Sequence, residues 1–105
     1  PYTIQKRLVI ERKELLLDRL CNLWHVKKEE MEKKVCELSD QLVSKIAEIN
    51  QLAEQYREWH KEGKELEALR EVKKQIQQMK KSFKQDWRQW VLLSRNILRQ
   101  KPVEA

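Results

Sequence analysis

The sequence predicts an all-α protein built from long coiled-coil helices, and three observations carry that prediction. Between Pro1 and Pro102 there is no proline, and Gly63 is the one glycine of the chain. Inside a helix, proline costs about 3 kcal/mol and glycine about 1 kcal/mol relative to alanine, so a chain without them favours uninterrupted helix. Charged residues make up 38% of the chain, and Lys, Glu and Arg lose little rotamer freedom in a helix. The apolar residues also recur at alternating steps of three and four, which is the heptad spacing.

The first helix is expected over residues 4–60, with Thr3 as its N-cap. A three-helix arrangement would need a loop near residues 30–38, but that segment is strongly helical in composition, so one long helix is expected here. The first part of the helix has an apolar face that is wider than one helix–helix contact needs. This face predicts an assembly surface, and it contains Leu8, Val9, Leu15, Leu16, Leu17, Leu20, Cys21, Leu23 and Trp24.

From residue 31 the apolar pattern narrows to a heptad seam, meaning a row of apolar residues at positions a and d. With Val35 at a, the seam consists of Met31, Val35, Leu38, Leu42, Ile49, Leu52, Tyr56 and Trp59. Lys45 occupies one d position, with Ile46 beside it. A single basic residue in such a seam fixes the register of pairing at some cost in stability.

Gly63 takes the next a position and divides the chain in two. Glycine after an apolar residue and basic side chains is typical of a helix C-terminus. No Ser, Thr, Asp or Asn follows to cap a new helix. Two alternatives therefore remain: a helical hairpin that turns at Gly63, or a helix that is kinked or continuous there.

A second helix is expected over residues 65–100, in a new heptad register. Leu69, Ile76, Phe83, Trp90 and Ile97 take position a, and Val72, Met79 and Leu93 take position d. Asp86 occupies the remaining d position, so this second seam also contains one charged residue. Lys101 and Pro102 are expected to end the helix, because the residue before proline is disfavoured in the α region.

The composition excludes several classes of function. With two histidines, one glycine and no glycine-rich loop, the chain lacks phosphate-binding and nucleophile motifs, so we expect no enzyme and no cofactor. Cys21 and His25 lie four residues apart, but a zinc site needs about four ligands, so no metal site is expected. No apolar run approaches the length of a transmembrane helix.

Two further expectations concern context. Cys21 and Cys36 lie among apolar neighbours, which favours buried reduced thiols and an intracellular protein, cytoplasmic or nuclear. The chain starts at Pro1 rather than at methionine, which favours a single helical segment, residues 1–105, of a larger protein.

The seams predict a structural or scaffolding module that mediates protein–protein assembly, as a dimer or a hetero-bundle with another helical chain. A lone amphipathic helix of this length would expose a long apolar row, which monomers rarely tolerate. The predicted assembly residues are Leu17, Leu20, Trp24, Met31, Val35, Leu38, Leu42, Ile49, Leu52, Tyr56, Trp59, Leu69, Val72, Ile76, Met79, Phe83, Trp90, Leu93 and Ile97.

The second helix carries the excess positive charge, which suggests a further contact. Residues 1–60 hold eleven basic and eleven acidic residues, whereas residues 73–101 hold nine basic residues and one acidic residue. The basic side of this helix can be exposed to solvent, or it can bind nucleic acid or an acidic protein. The aromatic segment 76–101 also suggests a calmodulin target. The candidate contact residues are Lys73, Lys74, Lys80, Lys81, Lys84, Trp87, Arg88 and Arg95.

Overall fold

The computed structural model describes residues 2–22 and 28–100, with side chains from residue 4 onward in those ranges. It contains three helices: α1 (Tyr2–Cys21), α2 (Lys28–Glu62) and α3 (Leu66–Arg99). Over the described ranges there is no strand. The all-α prediction is confirmed.

The three helices form an elongated bundle in which α2 and α3 make an antiparallel hairpin and α1 packs against both. Lys13 of α1 pairs with Asp40 of α2 at 3.4 Å between Nζ and Oδ1. The Arg19 guanidinium donates a hydrogen bond to the Gln100 carbonyl at 3.2 Å. α1 therefore runs antiparallel to α2 and parallel to α3. Since α1 is about 30 Å long and the other two helices are each about 50 Å long, α1 covers one end of the hairpin only.

The predicted continuous helix over 4–60 is wrong, because α1 ends at Cys21 and Asn22 lies in a turn. The Asn22 backbone N–H donates to the Arg19 carbonyl at 3.1 Å, and its side-chain amide donates to the Asp18 carbonyl at 3.4 Å. Lys28 Nζ donates to the Cys21 carbonyl at 2.9 Å. These bonds satisfy carbonyl groups that the end of a helix leaves without partners. Residues 23–27, and with them the predicted assembly residue Trp24 and the histidine His25, lie outside the described residues.

The chain reverses at Gly63, as one of the two alternatives predicted. Gly63 has φ +72°, a left-handed conformation that glycine adopts without steric cost. Its N–H donates to the His60 carbonyl, and the Lys64 N–H donates to the Trp59 carbonyl at 3.0 Å, which is the Schellman pattern of a helix C-terminus. α3 then begins at Leu66, within a residue of its predicted start, and Glu65 provides no side-chain cap. The predicted helix end at Lys101 and Pro102 lies outside the described residues.

Most of the core lies in two clusters at the end of the hairpin that α1 covers, and Val72 is buried outside them, nearer the Gly63 turn. One contains Val9, Leu42, Ile46, Ile49, Phe83 and Trp90, and the other contains Leu16, Leu20, Val35 and Ile97. Leu16 and Leu20 are 0% exposed, so the inner face of α1 is covered by its own chain. Because α1 folds back on the hairpin, its inner apolar face is buried within the chain and does not extend as an unpaired helix.

The buried row on α2 differs from the predicted seam. It consists of Val35, Ser39, Leu42, Ile46 and Ile49, which are a and e positions in the predicted register. The d residues Leu38 and Leu52 are half-buried. The difference arises because α2 packs against two helices at this end, so its apolar face must be wider than an a/d row. Beyond Ile49, none of the described residues of α2 is fully buried.

None of the helices in the described ranges is long and apolar enough to cross a membrane.

Candidate interaction surfaces

The predicted assembly residues lie mostly inside the bundle. All of them except Trp24 are described, and each described member, from Leu17 to Ile97, is buried or half-buried. The heptad seams therefore close within a single chain. A surface available to another molecule has to be found on the outside of the bundle.

The two charged residues of the seams meet each other across the α2–α3 interface. The Lys45 ammonium pairs with the Asp86 carboxylate and donates a hydrogen bond to Ser82 Oγ at 2.7 Å. The Lys45 and Asp86 side chains are only 23% and 15% exposed. This polar contact belongs to the interior of the hairpin, and it fixes which residues of α2 and α3 lie at the same level.

The outer face of α1 is the most apolar surface of the described chain. Of the six large apolar side chains that are exposed, four lie on α1. Three of these, Ile4, Leu8 and Leu15, are spaced by four and seven residues, so they follow one side of the helix; we call them the α1 stripe. They are 75%, 40% and 51% exposed. The fourth, Ile10, lies on the other side of the outer face of α1.

The basic residues predicted on the second helix form a second exposed surface. We call this set the basic stripe; all of its members are exposed, and they are Lys73, Lys74, Lys80, Lys81, Lys84, Arg88 and Arg95. Their positions span 22 residues of α3, or about 33 Å.

Trp87 does not share this exposure, although the sequence placed it on the same row. It is half-buried and packs against the core cluster of Phe83 and Trp90. Its ring centroid lies 5.7 Å from that of Phe83 and 5.1 Å from that of Trp90. Position e of α3 faces α1 at this end of the bundle, which explains why an aromatic residue stands among lysines there.

The third surface is an open groove between α2 and α3, with a volume of about 890 Å³. We call it the α2–α3 groove. Among the described residues, only those of α2 and α3 line it: Asp40, Gln41, Ser44, Lys45, Glu48, Gln51, Leu52, Gln55, Gln75, Gln78, Met79 and Ser82. The heptad pattern of apolar residues does not indicate this groove, because glutamines and other polar residues form most of its lining.

The described residues offer no metal centre, since they bring no three His, Cys, Asp or Glu side chains together in a suitable group. Both cysteines are free thiols, and Cys36 is half-buried. The expectation of a buried thiol is wrong for Cys21, which is exposed because α1 ends there.

Comparison of this chain with protein-family models, with curated proteins and with solved structures gives no significant match.

Proposed function

We propose that this chain is a helical-bundle module that mediates protein–protein assembly, and that the outer face of α1 makes the contact. The observation that carries the proposal is the α1 stripe. Ile4, Leu8 and Leu15 remain exposed on a helix whose inner residues Val9, Leu16 and Leu20 are fully buried.

The energetics of the α1 stripe favour a protein contact. Complete burial of a Leu or Ile side chain contributes about 1.5–3 kcal/mol. Covering the exposed parts of these three residues would therefore contribute roughly 3 kcal/mol in total. That contribution favours the α1 stripe over the charged sides of the bundle as a contact surface. The charged side chains around the stripe would form a polar rim of the kind that protein interfaces have.

A site-specific crosslinking experiment in cells tests the proposal. A photocrosslinking amino acid is placed at Leu8 or Leu15, and in a control protein at Glu58, an exposed residue at the other end of α2. We expect a discrete adduct with another protein chain from the two α1 positions and none from the control. If Leu8, Leu15 and Glu58 give the same adducts, or none, the proposed contact is wrong.

A second candidate function, nucleic-acid binding, is favoured by the exposure of the whole basic stripe. Neutralising several phosphates gives affinity without base recognition, and that affinity falls steeply with salt. An apolar contact through the α1 stripe is nearly indifferent to salt. Binding of a DNA or RNA duplex that is lost both at raised ionic strength and in a Lys74→Glu/Arg88→Glu variant would favour the second candidate.

The calmodulin interpretation of residues 76–101 meets a structural obstacle. A helix-in-groove target presents its apolar and aromatic anchors to the partner. Phe83 and Trp90 are only 4% and 3% exposed, so such binding would require α3 to leave the bundle.

A further inference from the structure

Two rows of polar residues, all uncharged but one, border the α2–α3 groove and, on α3, extend beyond it. On α2 the row is Gln41, Ser44, Glu48, Gln51 and Gln55, and on α3 it is Gln75, Gln78, Ser82, Gln85 and Gln89. Both rows follow alternating steps of three and four, so each keeps to one side of its helix. Nine of the ten residues are uncharged in a chain that is 38% charged. Asp40 and Lys45 also line the groove, and each is held in an ion pair, with Lys13 and Asp86 respectively.

The register of the hairpin places the two rows opposite each other. Lys45 contacts both Ser82 and Asp86, and this contact sets the level at which α2 and α3 pair. Counting outward along the antiparallel helices brings five pairs to matching levels. These pairs are Gln41 with Gln89, Ser44 with Gln85, Glu48 with Ser82, Gln51 with Gln78, and Gln55 with Gln75. The α2 row spans about 21 Å, or about four helical turns.

The chemistry of the rows allows them to pair with an identical surface. Glutamine and serine side chains each donate and accept hydrogen bonds, whereas an ammonium group only donates and a carboxylate only accepts. Between the rows, the half-buried side chains of Leu52 and Met79 contribute apolar surface to the groove. Protein interfaces are likewise depleted of charge at their centre.

The charge of the molecule favours this face for contact between identical chains. The chain has a net charge of +6, and the basic stripe follows a different side of α3 from the uncharged row. Two copies that approached through their basic stripes would repel each other. The α2–α3 groove has no such excess of positive charge. Among the described residues that line it, Lys45 is the one cation and is paired with Asp86, and the other charged residues, Asp40 and Glu48, are acidic.

We propose that the α2–α3 groove binds a second copy of this chain, so that two hairpins pack face to face as a homodimer. A two-fold axis along the bundle places α2 of one copy against α3 of the other. In that arrangement Glu48, the one charged member of the rows, lies opposite Ser82 of the second copy rather than opposite its own equivalent. The homodimer contact uses a different surface from the α1 stripe. Either proposal can therefore be wrong without affecting the other.

Sedimentation velocity over a concentration series tests the homodimer, with variants matched by charge. We expect the wild-type mass to rise with concentration from 12.9 kDa towards twice that value. Gln51→Lys/Gln78→Lys adds two like charges inside the groove and should weaken dimerisation at least about tenfold. Asn50→Lys/Gln77→Lys makes the same charge change one residue away on each helix, at positions that are also exposed, and should dimerise like the wild type.

Three outcomes would overturn the proposal. One is a wild-type chain that stays monomeric at every concentration, as it would if a helix of another protein filled the groove. Another is equal loss of dimerisation in the groove variant and in its control. The third is a dimer that resists the groove substitutions but is lost in Leu8→Glu/Leu15→Glu, because self-association would then use the α1 stripe.

Discussion

Lys45 and Asp86 show how single residues direct the pairing of these helices. Each interrupts an apolar row of its own helix, and together they form one ion pair with Ser82 as an additional partner. A half-buried charge without a partner is unfavourable, so any other register of α2 against α3 would leave both charges unpaired. The sequence predicted that Lys45 sets a register. The sequence could not predict that Asp86 is the partner of Lys45. Heptad positions within one helix do not show which row of another helix packs against them.

Breaking this pair should destabilise the bundle, whereas replacing both members should not. We expect Asp86→Ala to lower the free energy of unfolding by about 2 kcal/mol, because Lys45 keeps its desolvation cost and loses its partner. Lys45→Met/Asp86→Leu should recover most of that loss, since two apolar residues can pack in the same space. Urea unfolding of the wild type, Lys45→Met, Asp86→Leu and Lys45→Met/Asp86→Leu measures the coupling. Losses that simply add would mean that the two residues do not interact.

At the level of elements, the α2–α3 hairpin was more predictable than the end of α1. The lone glycine and the change of heptad register both point to a reversal at Gly63, and α3 keeps nearly the predicted bounds. α1 ends without proline or glycine, and Asn22 is a weaker signal of a helix end than either. The end of α1 at Cys21 is accompanied by the packing of Leu16 and Leu20 with Val35 and Ile97, which is a tertiary effect that local propensity does not contain.

The conformation of Gly63 leads to a prediction for the hairpin turn. A Cβ atom at this position would meet nothing within 4 Å, so the cost of a substitution comes from the positive φ alone. We expect Gly63→Ala to lower the free energy of unfolding by about 1 kcal/mol, and Gly63→Asn to cost less, because asparagine tolerates the left-handed region better. Thermal and urea unfolding measure both. An alanine variant as stable as the wild type would show that the turn does not need this backbone conformation.

At the scale of the whole molecule, the bundle is a rod with different chemistry on each side. Its dimensions are 66 × 18 × 18 Å and its radius of gyration is 18.0 Å, compared with about 13 Å for a compact domain of 100 residues. The α1 stripe is apolar, one side of α3 is basic, and the polar rows along the α2–α3 groove are mostly uncharged. Such a distribution suits a module that contacts different partners through different faces.

The sequence could predict the helical class and most of the buried residues, but not where the buried residues find their partners. An a/d row looks the same whether it packs within one chain or between two chains. Val9, Leu16 and Ile46 belong to the core, and they show the wider apolar face that a third helix requires. The exposed surfaces could be identified only from the fold, because the fold shows which rows of residues lie inside the bundle and which lie outside.

The apolar rows close within one chain, so a contact with another chain would use the outer faces. A distance between spin labels at Arg7→Cys and Ala47→Cys tests it most directly, in a Cys21→Ser/Cys36→Ser background diluted with unlabelled protein. Both labelled positions are exposed, and the fold-back of α1 on α2 brings them to the same level of a bundle 18 Å across. We therefore expect a distance of about 20 to 30 Å, allowing for the lengths of two labels beyond a helix–helix spacing of about 10 Å. A distance of about 60 Å, as along one continuous helix, would contradict it.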